Sequence, residues 1–119
     1  MKVVNINKVP KEVFINPIFT GQEVTRQKLL PESKEYQVDI INFGKGVRNK
    51  YHVHNYEQIL IITSGRGIIA TETEEKVVTV GDIVLIPAGE KHWHGSGGDS
   101  ELSHIFVVRK EDKVKQLED

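Results

Sequence analysis

Apolar residues in this chain come in short bursts, and turn-forming residues interrupt them about every eight to twelve positions. The pattern predicts strands over 23–30, 36–43, 51–54, 58–64, 67–73, 76–80, 82–87, 91–94 and 102–108. Most of these segments are rich in β-branched residues, and glycines such as Gly44, Gly65, Gly81 and Gly98 punctuate them. Many short strands with glycine breaks predict an all-β sandwich or barrel. Only the tail over 111–119 reads as helical or frayed. With 119 residues and no internal repeat or linker, one domain spanning 1–119 is expected.

The same alternation gives the histidines a meaning. All five, His52, His54, His92, His94 and His104, fall within three of the predicted strands. Side chains two apart on a strand share a face with Cα atoms ~7 Å apart, so His52 and His54 can converge on one ion. His92 and His94 form a second such pair. With alternation continued through Asn55 and Tyr56, Gln58 joins the face of His54 and Glu57 turns away. A lone histidine is more often a hydrogen-bonded core residue than a ligand. Two His-x-His pairs in one small β-protein favour a shared cation, because clustered imidazoles would otherwise lose solvation for little return.

Composition narrows the chemistry. There is no cysteine, which removes disulfides, thiolate metal sites, iron–sulfur clusters and thiol nucleophiles, so a metal here needs nitrogen and oxygen donors. Lys plus Arg number 16 against 17 Asp plus Glu, giving a net charge of -1 and no field for nucleic acid or anionic lipid. No apolar run approaches the ~20 residues of a membrane span, and the start, MKVVNINKVP, lacks a signal-peptide core. A soluble, cytoplasmic protein is expected.

Two stretches resemble a known family. GVRNKYHVHNYEQILIITSG (46–65) resembles the first cupin motif, with Gly46, His52, His54 and Gly65 in register and Gln58 at the position of a glutamate. GDIVLIPAGEKHWHGS (81–96) resembles the second, with Gly81, Pro87, Gly89 and His92 in register and Ser96 at the position of an asparagine. The resemblance implies a small jelly-roll barrel holding one divalent metal on His52, His54, Gln58 and His92. Manganese is the first expectation, with iron, nickel, cobalt and zinc open. Three neutral imidazoles and an amide oxygen would leave the ion its full +2 charge, making it a stronger electrophile than with a glutamate ligand.

A narrower resemblance joins Gln58, GEKHWHG (89–95) and SHIFV (103–107) to the manganese-dependent cupin hydroxynitrile lyases and their relatives. It implies a metalloenzyme using acid–base or lyase chemistry on a small oxygenated molecule, with His94 and His104 facing the substrate and moving a proton. Asp39, Ile41 and Val108 match substrate-facing positions. Asp39 would bring in a carboxylate, and Val108 replaces a glutamine, and both departures weaken transfer of the specific reaction. The rivals are a non-catalytic ligand-binding cupin and a metal-dependent dioxygenase of the quercetinase-like kind. Cupins usually pair through outer strands, and VFINPIF (13–19) carries apolar residues a small barrel would leave bare, so a homodimer is expected.

Overall fold

A computed structural model describes all 119 residues. After a short 3-10 turn at Ile6–Lys8 come β1 (Glu12–Val13), β2 (Val24–Lys28), β3 (Tyr36–Phe43), β4 (His52–His54) and β5 (Gln58–Thr71). Then follow β6 (Glu75–Thr79), β7 (Ile83–Ile86), β8 (His92–Ser96), β9 (Leu102–Arg109) and β10 (Val114–Gln116). The ladder runs β1-β2-β3-β9-β5-β8-β4-β10, with β6 and β7 also paired to β5. It curls into a jelly-roll barrel, as the cupin resemblance implies and within the all-β sandwich or barrel class that the strand pattern predicts. Its core is built from inward positions such as Val24, Phe43, Leu60, Ile62 and Leu102.

β5 differs from expectation. The pattern predicts two strands over 58–64 and 67–73, but Gln58–Thr71 forms one strand of 14 residues. Its first part pairs with β7 and β9, and its second part pairs with β6 and β8. A register shift between Ile62 and Ser64 and a left-handed Gly65 (φ 75°) bend the strand without ending it. A Cβ at Gly65 would lie 1.8 Å from the Glu101 carbonyl oxygen, so only glycine permits this crossing.

The tail is also a correction. Residues 114–116 are strand, not helix or frayed coil, and pair antiparallel with β4, setting Val114 opposite His54 and Gln116 opposite His52. The three-residue β4 would otherwise be an open edge, and the tail's backbone satisfies it. Leu117 N–H adds a bond of 2.8 Å to the Tyr51 carbonyl.

At the other terminus, Phe14, Ile18 and Phe19 turn onto the chain's own barrel. Phe14 meets Phe19 edge-on at 5.3 Å, and Phe19 meets Phe43 at 5.8 Å. Of the 13–19 segment, only Val13 and Ile15 remain as exposed large apolar side chains.

Candidate metal centre

Strand alternation delivers the inward set as expected. His52 is buried and sits directly opposite His92, which is fully buried on β8. Gln58 is buried at the start of β5, followed inward by Leu60 and Ile62, while Glu57 is exposed. The ligand nitrogens of His52, His54 and His92 lie within 4.8 Å of one another. Their ring centroids are 5.1 Å (His52–His54), 4.3 Å (His52–His92) and 5.7 Å (His54–His92) apart.

The hydrogen bonds fix which nitrogen of each ring is free. His52 Nδ1 is 2.7 Å from the Lys50 carbonyl oxygen, and His92 Nδ1 is 2.8 Å from that of Glu90. His54 Nδ1 is 2.5 Å from Asp112 Oδ2. Carbonyls and carboxylates only accept, so in the neutral rings each Nδ1 carries the proton and each Nε2 offers a lone pair. Burial, first of all, and then the neighbouring His92 push the pKa of His52 down to about 3. Burial likewise lowers His92 to about 4. These rings are therefore neutral ligands at neutral pH.

Two observations test the fit of a cation. His54 Nε2 is buried with no hydrogen-bond partner. Gln58 Oε1 lies 3.3 Å from His92 Nε2, so two acceptors face each other. A cation satisfies both at once, and the donor set of nitrogen plus amide oxygen suits a divalent transition ion. The residues fit the group.

Deeper in the barrel is a second pair. His104 Nε2 lies 3.0 Å from His94 Nδ1, and His104 Nδ1 is buried without a partner. Burial above all pushes His94 well below its ordinary pKa, with His104 adding to it, and burial lowers His104 to about 4. Asn49, not anticipated from sequence, clamps His94. Its Oδ1 accepts from His94 N–H at 2.8 Å, and its Nδ2 lies 3.3 and 3.2 Å from the two ring nitrogens. The 47–49 segment reaches β8 because Gly95 has no side chain, since a Cβ there would lie 2.3 Å from Arg48 Cα. Ser96, in the asparagine position of the second motif, accepts from Gly46 N–H and joins the two motifs.

Both histidine groups border one cavity of about 230 Å³. All four phenylalanines of the chain line it, together with Ile41 and Val108. Asp39 does not line it. It is buried on β3 between Ile41 and Gln37, which both line the cavity, and Gln37 Nε2 donates to its Oδ2 at 3.0 Å. Asp112 lines the cavity from the tail, a position whose charged surroundings gave no sequence signal.

The Cupin domain family (Cupin_2) matches residues 40–108, and the chain belongs to it. Over 75 residues the chain is 35% identical to (R)-mandelonitrile lyase of Granulicella tundricola, covering 60% of this chain and 56% of that protein. It is 27% identical over 95 residues to acireductone dioxygenase of Pseudomonas fluorescens, covering 69% of this chain and 51% of that one. The chain thus spans about half the length of these curated relatives. Among solved structures, a cupin-like protein of Thermotoga maritima superposes with a TM-score of 0.81 at 31% identity, over 88% of this chain and 83% of that one. No helix is long and apolar enough to cross a membrane.

Proposed function

We propose that this chain is a metal-dependent cupin enzyme that acts on a small oxygenated molecule by acid–base or lyase chemistry, in the manner of a hydroxynitrile lyase. The observation that carries the reading is the four-donor cluster of His52, His54, Gln58 and His92 beside an unpartnered His104 Nδ1 in an aromatic-lined cavity. A divalent ion held there, manganese before iron, nickel, cobalt or zinc, would supply a Lewis acid for a substrate oxygen.

The chain's own residues do the rest. When His104 Nε2 donates to His94 Nδ1, His104 Nδ1 carries a lone pair and takes a proton from a substrate hydroxyl. In the cleavage of a cyanohydrin, the O–H electrons become the carbonyl π bond as the C–C bond to the nitrile breaks. Cyanide departs with that bond's electron pair and takes the proton back from His104. Ile41, Val108 and the phenylalanines hold the apolar part of the substrate, and the cavity is smaller than the ~300–1,000 Å³ of typical ligand pockets, which suits a small molecule. The proposed setting is a cytoplasmic, single-domain homodimer acting on a small molecule.

The test is release of benzaldehyde from mandelonitrile by manganese-loaded and EDTA-stripped protein. Manganese-dependent release, lost in His104→Ala at unchanged metal content, is the expected result. Absence of turnover on a panel of cyanohydrins and hydroxy acids by fully loaded protein overturns the reading. Weaker ligand binding alone in His104→Ala would favour a ligand sensor. The acireductone dioxygenase likeness favours a second reading, oxygen chemistry, which oxygen uptake by iron-loaded protein would reveal.

A further inference from the structure

The three metal-facing histidines anchor their Nδ1 protons on unlike partners. His52 and His92 face neutral backbone carbonyls, while His54 alone faces a carboxylate. That carboxylate, Asp112, has a side chain only 6% exposed. Its Oδ1 accepts from Tyr56 N–H at 3.2 Å, and it forms no ion pair with any Lys or Arg. A buried carboxylate without a cation is costly. A cation on the far side of the His54 ring, where Nε2 is unpartnered, would supply the compensating positive charge.

We propose that Asp112 is the displaced carboxylate of the metal centre. It supplies through His54 the negative charge that the amide of Gln58 does not, an inference that rests on reading His52, His54, Gln58 and His92 as the metal ligands. A carboxylate hydrogen-bonded to Nδ1 fixes the ring and makes Nε2 a stronger donor. The formal charge of ion plus surroundings then falls from +2 to +1, as a glutamate ligand would make it, and the centre is a milder electrophile than its four neutral donors imply. Asp112 also lies just before β10, so the charge that tunes the ion comes from the strap that covers β4.

Cobalt(II) titration of EDTA-stripped protein tests this by calorimetry and by the visible cobalt absorption. Asp112→Asn keeps the size and removes the charge, and it should weaken cobalt binding about 10–100-fold. Adding Gln58→Glu to D112N should restore affinity, because the charge returns at the ligand itself. Affinity within about twofold of the parent in D112N, or no recovery in the double variant, overturns the proposal. A second readout needs no variant: cobalt should slow hydrogen exchange at the Tyr56 and Leu117 amides, and unchanged exchange counts against the coupling. If the unaltered chain binds no cobalt at all, the metal reading itself has failed, which is a separate result.

Discussion

His92 and His94 stand two residues apart on the same face of β8, both buried, yet their hydrogen-bonding surroundings differ. His92, like His52 and His54, has an acceptor pinned to Nδ1, which leaves Nε2 as a lone pair aimed at the cluster. His94 has no such acceptor. Its ring nitrogens meet Asn49 Nδ2, and its Nδ1 also meets another imidazole, His104. Strand parity alone makes all five histidines look alike. The atom opposite Nδ1 decides which ring offers a fixed lone pair and which stays free to pass a proton.

The largest effect expected from this contrast is on metal content. His92→Ala removes one of three converging nitrogens and should abolish stoichiometric manganese, measured by elemental analysis after gel filtration. His94→Ala, on the same strand, should keep about one ion per chain. Equal loss in both variants would break the contrast. The next effect is on turnover. His104→Phe fills a fully buried site, keeps the metal, and should lower the rate about 10²–10⁴-fold, the usual contribution of a general acid or base.

Much of this centre was legible before folding because its signals are local. Period-2 alternation puts His52, His54 and Gln58 on one face, and the resemblance to the cupin motifs and the lyases adds His92 and points to Ile41 and Val108. Parity could not place Asp39: Gln37 and Ile41 on either side of it line the cavity, while its own carboxylate is held by Gln37 Nε2, a side-chain contact that alternation does not encode. Two partners were invisible for another reason. Asp112 reaches His54 across 58 positions and Asn49 reaches His94 across 45, so neither pairing leaves a trace in neighbouring residues. The tail hid its strand because β10 forms by pairing with the edge of β4, a distant partner that no local propensity encodes.

Acid tests the burial of the second group through His104. Burial holds His104 at about 4, against 6.5 when exposed. Between those values the unfolded chain binds a proton that the folded chain refuses, so stability is full above the unfolded value and falls as pH drops toward the folded one. For this one group the loss between about pH 7 and about pH 5 is about 2 kcal/mol. Urea unfolding of metal-free protein should show that slope, and His104→Phe should flatten it by the same amount. An unchanged slope in the variant would place the acid sensitivity elsewhere.

The smallest effect concerns the barrel's outside. Ile83, Leu85 and Ile59 are 70%, 59% and 38% exposed, and the register sets Ile59 beside Leu85 and Ile61 beside Ile83 across β5 and β7. With Phe14, Ile18 and Phe19 turned inward, this outer sheet face, rather than the 13–19 segment, is the surface we propose for the expected second copy. Leu85→Lys should shift the mass measured by light scattering at micromolar concentration toward one chain while leaving the metal content unchanged, because Leu85 faces away from the cavity. A protein already monomeric before substitution refutes the pairing and leaves both histidine groups untouched, since every residue of the two proposed groups comes from a single chain.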